Sequence, residues 1–274
     1  MVAVLATLSL AAAMAAPAGA QDSKGDDFWL MFPGNLSGGQ LTLFITGDTA
    51  TMGTVEIPGM QFTQSFSVTP GSVTTVNLPV NAQQQSSDAV ENLGIHVTAG
   101  DEVTVYGLNR RSASTDAYLG LPVDALGTEY INLGYQNVSV VNANQFGIVA
   151  SQDATTVTIT PTAATPGHPA GTAYTVHLDQ GETYLLRDTN GQPSDLSGSI
   201  ITADKPIAVF GGHQCANIPA GNTACDHIVE QLTATSQWGQ SFLSMPLATR
   251  ANGDTFRVLA SEDNTTVQLN GSTV

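Results

Sequence analysis

Gly94-Ile-His-Val-Thr-Ala-Gly-Asp-Glu-Val-Thr-Val-Tyr-Gly107 aligns without a gap on Gly198-Ser-Ile-Ile-Thr-Ala-Asp-Lys-Pro-Ile-Ala-Val-Phe-Gly211, an offset of 104 residues. The terminal glycines and the Thr, Ala and Val between them are identical. Alternating β-branched and polar residues between glycines predict a strand, so the same strand is expected twice. Three aromatic starts keep nearly the same spacing: Asp26-Asp27-Phe28-Trp29, Gly127-Thr128-Glu129-Tyr130 and Trp238-Gly239-Gln240-Ser241-Phe242. Each precedes a strand-like run and a Thr-rich turn into another strand. These read Leu41-Thr-Leu-Phe-Ile-Thr46 then Gly53-Thr-Val-Glu-Ile57, Phe146-Gly-Ile-Val-Ala-Ser151 then Thr155-Thr-Val-Thr-Ile159, and Phe256-Arg-Val-Leu-Ala-Ser261 then Thr265-Thr-Val-Gln-Leu269.

The predicted organisation is a signal peptide over 1–20, one β repeat over 21–126, a second over 127–237, and the start of a truncated third over 238–274. Repeats of this kind bury their faces against neighbours. Residues 1–20 are apolar and end in Ala18-Gly19-Ala20, the small-residue pattern of a secretory cleavage site. No Lys or Arg precedes the run, which points to a start further upstream. No later stretch is apolar enough to span a bilayer, so no membrane insertion is expected after cleavage.

Across 274 residues, 27 Gly and 13 Pro punctuate short alternating runs, and no long 3.6-residue periodicity occurs. Seven Lys and Arg against 23 Asp and Glu give a formal charge of −16. Nucleic acid is excluded as a partner, because phosphate binding needs clustered cations. The acidity itself suits an extracellular or salty medium.

Cys215 and Cys225 close a Pro/Gly/Asn-rich loop, and in an exported chain an even pair reads as a disulfide. His213 and His227 flank them, so a tetrahedral zinc set is the competing reading. The wide separation of the two cysteines disfavours it. The expected metal and cofactor content is therefore none. No His-Glu-x-x-His, nucleophile elbow or phosphate-binding loop occurs, and no catalytic residue is expected. Trp29 and Trp238 serve either packing or sugar stacking. Asn-x-Ser/Thr sequons stand at Asn35, Asn137, Asn264 and Asn270.

Four stretches resemble the IgGFc-binding protein N-terminal domain family: Gly94-Ile-His-Val-Thr-Ala with Val103-Thr-Val-Tyr, Leu121 to Tyr130, Asp204 to Cys215, and Ala224 to Leu232 with Trp238-Gly. They extend over about 26–274, and the resemblance is to a family whose module also occurs in secreted bacterial proteins. The resemblance implies an extracellular, non-enzymatic binding or adhesion module with its cysteine pair bonded. It carries over no antibody-contact residue.

The expected fold is all-β, with tandem repeats of about a hundred residues built as β-sandwiches; a propeller with two blades per repeat is the alternative. The expected function is recognition of a host or cell-surface glycan or protein by a secreted or cell-surface protein. A structural stalk or a carbohydrate-active enzyme are the rivals. Binding is expected on two loops made equivalent by the repeat, Leu108–Asp116 and His213–Asp226, through Asn109, Arg110, Arg111, His213, Asp226 and His227. Arg110 and Arg111 suit a sialylated or sulfated ligand, unless they merely neutralise Asp101, Glu102 or Asp116.

Overall fold

The computed structural model describes residues 22–36, 39–138, 143–190, 193–245, 248 and 253–274. The expected signal peptide lies outside them. Among the described residues helix is confined to three-residue 3-10 turns, and the fold is all-β with sheets packed into sandwich-like halves. No helix there is long and apolar enough to cross a membrane.

The first half contains β1 (Gly25–Leu30), β2 (Phe32–Pro33), β3 (Gln40–Thr46), β4 (Thr51–Ile57), β5 (Phe62–Val68), β6 (Thr74–Leu78), β7 (Gln83–Gln84), β8 (Ala89–Glu91), β9 (Ile95–Arg111) and β10 (Ser114–Leu119). The second contains β11 (Gly127–Ile131), β12 (Asn144–Ala150), β13 (Thr155–Thr160), β14 (Tyr174–Leu178), β15 (Thr183–Asp188), β16 (Ile200–Ala216) and β17 (Asp226–Gln231). A hairpin of β18 (Gln268–Leu269) and β19 (Ser272–Thr273) turns at Asn270-Gly271, both at positive φ, which this dipeptide tolerates.

The two aligned stretches are the centres of β9 and β16, each 17 residues long. Each strand changes neighbours along its length. Ile95, Val97, Val103 and Val105 point inward and are fully buried, as strand alternation requires. The first part of β9 pairs with β1 and β4, and the last part with β3 and β10. β16 does the same with β11, β13, β12 and β17. Between these parts, 100–102 and 204–206 pair with no strand, and there each long strand turns the corner. Pro206 sits at this corner, where its missing N–H breaks no ladder.

Registers agree in detail. Phe28 faces Val97 and Tyr130 faces Ile201; Gly25 faces Val103 and Gly127 faces Ile207, each followed by the same irregularity. The first sheet runs β5-β4-β9-β3-β6 and the second β14-β13-β16-β12-β15-β8, so β8, from the first half, extends the second half's sheet.

That arm is one of several links between the halves. Tyr118 of β10 packs edge-on against Phe210 at 5.1 Å, inside a core that joins Phe28, Leu43 and Val105 to Val149, Ala208 and Val229. Arg187, 8% exposed, donates to Gln85 O at 2.7 Å, Gln85 Oε1 at 3.1 Å and Gln145 Oε1 at 2.8 Å, while Gln145 Nε2 donates to Gly34 O. Burial pulls this guanidinium down to about 10. Asp88 accepts from His168 at 2.8 Å and from the Tyr184 hydroxyl at 2.7 Å.

Beyond the second half, order thins. Phe256–Ser261, expected as a strand, forms none, and Phe242, Met245, Phe256 and Val258 are exposed. Among the described residues no third long strand exists for them to pair with. Thr265–Leu269 contributes only Gln268–Leu269.

Candidate binding site

Of the two expected binding loops, Leu108–Asp116 is mostly strand, whereas His213–Asp226 is strand only at its two ends. β9 continues through Arg111 and β10 begins at Ser114, leaving Ser112-Ala113 as the turn, with Ala113 at φ 60°. His213 and Cys215 lie in β16, and Asp226 and His227 in β17. Hydrophilic residues read as loop are here the ends of long alternating strands.

Three of the six expected binding residues are interior. Asn109, 1% exposed, accepts at Oδ1 from Asn35 Nδ2 and donates to Gln83 Oε1 at 3.1 Å. His213, 1% exposed, accepts the Cys215 N–H at Nδ1, which leaves its Nε2–H to donate to Asn137 Oδ1 at 3.0 Å. His227 donates from Nδ1 to His213 O at 3.0 Å. Burial above all pushes both imidazoles down to about 4, so both are neutral. A ligand cannot reach these three side chains without opening the core. They serve the fold.

Cys215 and Cys225 form a disulfide with Cα atoms 5.1 Å apart. Inside the ring, Asn217 Nδ2 donates to Asn222 O and Asn222 Nδ2 to Ile218 O, while Pro219–Ala224 is exposed. Among the described residues no group of three or more His, Cys, Asp or Glu side chains is arranged to hold a metal ion.

Arg110, Arg111 and Asp226 remain at the surface, and the structure brings them to one end of the molecule. Asp226 Oδ1 accepts the Thr115 N–H at 2.8 Å, and Asp116 Oδ2 accepts the Val229 N–H at 2.8 Å, so the hairpin and the base of the disulfide loop brace each other. An open concavity beside them is lined by Gly39, Gln40, Arg110, Arg111, Ser112 and Thr115. Two of the three carboxylates expected to neutralise the arginines are engaged elsewhere: Asp101 with Thr49, and Asp116 with Val229 and Ala117. Burial raises Asp116. Glu230 is pushed up to about 7 by desolvation of its carboxyl and then by Asp116, although the residue as a whole is exposed.

Trp29 is 3% exposed and stacks on His96 with ring centroids 4.2 Å apart, a packing role. Trp238 is half-buried and donates to Thr233 O. Sequence reasoning missed Arg187 and the Asp88 cluster. It also missed Asn35 and Asn137, whose equal distance from Phe28 and Tyr130 was the available signal.

The family described as IgGFc binding protein matches residues 116–274, from β10 to the end. A human relative, "IgGFc-binding protein", is 31% identical over 203 residues, which cover 73% of this chain and 4% of the relative. This chain belongs to the IgGFc-binding protein family. The family match begins at Asp116 and so takes in less than the resemblance over 26–274. No solved structure matches. The family is described as one of binding proteins.

Proposed function

We propose that this chain is an extracellular recognition module, built from two copies of one β unit (21–126 and 127–237) and the beginning of a third (238–274), that binds a protein or its attached glycan and performs no catalysis. The observation that carries this reading is the Thr115–Asp226 contact. It holds the two chemically different hairpin ends of the copies side by side, with two arginine side chains that have no hydrogen-bond or ion-pair partner among the described residues. On a chain of formal charge −16, a local cationic pair selects an anionic feature of the ligand, a sialic acid, a sulfate ester or a carboxylate cluster. The human relative's name supplies the first probe, the Fc portion of immunoglobulin G.

The test is surface-immobilised full chain against purified Fc, against sialylated mucin and against desialylated mucin, with Arg110→Ala/Arg111→Ala alongside wild type. Saturable binding weakened about tenfold or more by the double variant supports the reading. Binding unchanged by it removes the hairpin, absence of binding to all three probes rejects these ligands, and turnover of a glycan overturns the non-catalytic reading.

A further inference from the structure

The register that relates β9 to β16 also relates their surroundings. Tyr106 and Phe210 are equivalent, as are Leu108 and Gly212, Ala117 and Val229, and Phe44 and Gly147. In the second copy all of these are buried, because Met31, Pro33 and Tyr118 of the first copy lie across them. In the first copy nothing described covers the same face: Tyr106 is 43% exposed, Ala117 is exposed, and Phe44 and Leu108 are half-buried.

The neighbouring edge shows the same contrast. β15 is paired by β8, which brings Asp88 N to Leu185 O and Arg187 N to Ser87 Oγ. The equivalents of Leu185 and Arg187 are Thr75 and Asn77 of β6, whose backbone groups therefore point outward. Among the described residues β6 forms a ladder only with β3, and only its first residue, Thr74, reaches β5, through its hydroxyl to Ser67 O. An unpaired edge beside an exposed aromatic and an arginine is the composition of a protein interface.

We propose that the free edge of β6, with Tyr106, Leu108 and Ala117 on the face beside it, docks an extended acidic and apolar segment of a protein partner, which joins the sheet as a further antiparallel strand. This rests on the recognition function above and names its mode. The chain supplies its own precedent in Asp88-Ala89-Val90-Glu91, an acidic and apolar strand that does this to β15. Charge agrees: the outward residues of β3, β6, β9 and β10 beside this edge include no carboxylate, while Arg110 closes the face at one end. Main-chain bonds supply affinity in such additions, and the face supplies selectivity.

The probe is a synthetic peptide copying residues 84–92, titrated into full-length chain and followed by fluorescence anisotropy and amide hydrogen exchange. We expect saturable binding, slowed exchange at Thr75 and Asn77, and at least about tenfold weakening by Thr75→Pro, which removes one outward donor without touching the β3 ladder. Tyr106→Glu, which removes the aromatic contact and repels an acidic strand, provides a second variant should the proline lower stability, and it should also weaken binding. No binding, binding indifferent to both variants, or protection elsewhere than β6 would overturn the proposal. So would a concentration-dependent dimer abolished by Thr75→Pro, which would assign the edge to a second copy. Loss of Fc or mucin binding in the earlier assay with peptide binding intact separates the two readings.

Discussion

Asn109 and His213 occupy the same position in the two long strands, and each hydrogen-bonds an equivalent buried asparagine, Asn35 for one and Asn137 for the other. The two halves solve one problem, the satisfaction of a buried amide where the chain leaves β1 or β11, with different side chains. A buried polar group must find a partner, so the pair is retained in kind while its chemistry changes.

His213→Leu should therefore cost about 1–3 kcal/mol by stripping a buried partner from Asn137 and from the Cys215 N–H. His213→Asn, which restores the first copy's pair, should cost clearly less. Urea unfolding measures both, and equal losses would reject the equivalence.

The pH dependence has two opposing parts. His213 and His227 are held near 4 in the fold against 6.5 when unfolded, so the unfolded chain takes up protons first. Their contribution is whole above about 6.5 and is lost as pH falls toward about 4. Asp195 at His213 and Asp226 at His227 oppose burial and are outweighed by it, while His227 at His213 and Arg187 at His227 act in the same direction as burial. Glu230 runs the other way: its folded value of about 7 exceeds 4.5, so its contribution is present below 4.5 and lost as pH rises through 7. Glu230→Gln should raise the urea midpoint at pH 8 and leave it unchanged at pH 4.5. A midpoint equally shifted at both would contradict this.

Reduction of Cys215–Cys225 frees a ring spanning 10 residues and should lower stability by about 2–3 kcal/mol through loop entropy. Because Asp226 follows the ring directly, exchange of the Thr115 amide should quicken on reduction. A Thr115 amide indifferent to reductant would show that the ring does not position Asp226.

A Cβ on Gly107 would sit 2.4 Å from the Tyr118 ring. Gly107→Ala should displace that ring from Phe210, alter the near-ultraviolet circular dichroism and cost about 1–3 kcal/mol. Gly239→Ala, whose Cβ meets nothing closer than 3.8 Å, is the control.

Asn35 and Asn137 are sequons in name only, since both are buried and their amides donate inward, to Ser114 O and Asp188 O. Protein secreted from a glycosylating host should carry sugar, if anywhere, at the exposed Asn264 or Asn270. Peptide mapping by mass spectrometry reads this directly, and occupied Asn35 in folded protein would contradict the buried amide.

The all-β sandwich character was legible because Gly94–Gly107 and Gly198–Gly211 carry their alternation openly. The cysteine pair was legible for a similar local reason. What polarity hid was depth: Asn109, His213 and His227 look like loop residues, yet they are interior, Asn109 and His213 bonded to asparagines 74 and 76 residues away and His227 to the His213 carbonyl on the neighbouring strand. Arg187 was invisible for the same reason. A lone arginine gives no local sign that carbonyls and amides from two distant segments surround it.

The arm at β8 has a consequence for how the chain is made. Glu91 leaves the ribosome 92 residues before Thr183, the partner whose hydroxyl donates to its carbonyl. During that interval the first copy can close its own sheets while Ala89-Val90 hangs as an unpaired strand on a nascent chain. Asp88 and Glu91 bracket it with negative charge, the arrangement that keeps exposed strands from finding one another. By that principle the same two acidic residues that later sit at the seam would first guard the strand during synthesis.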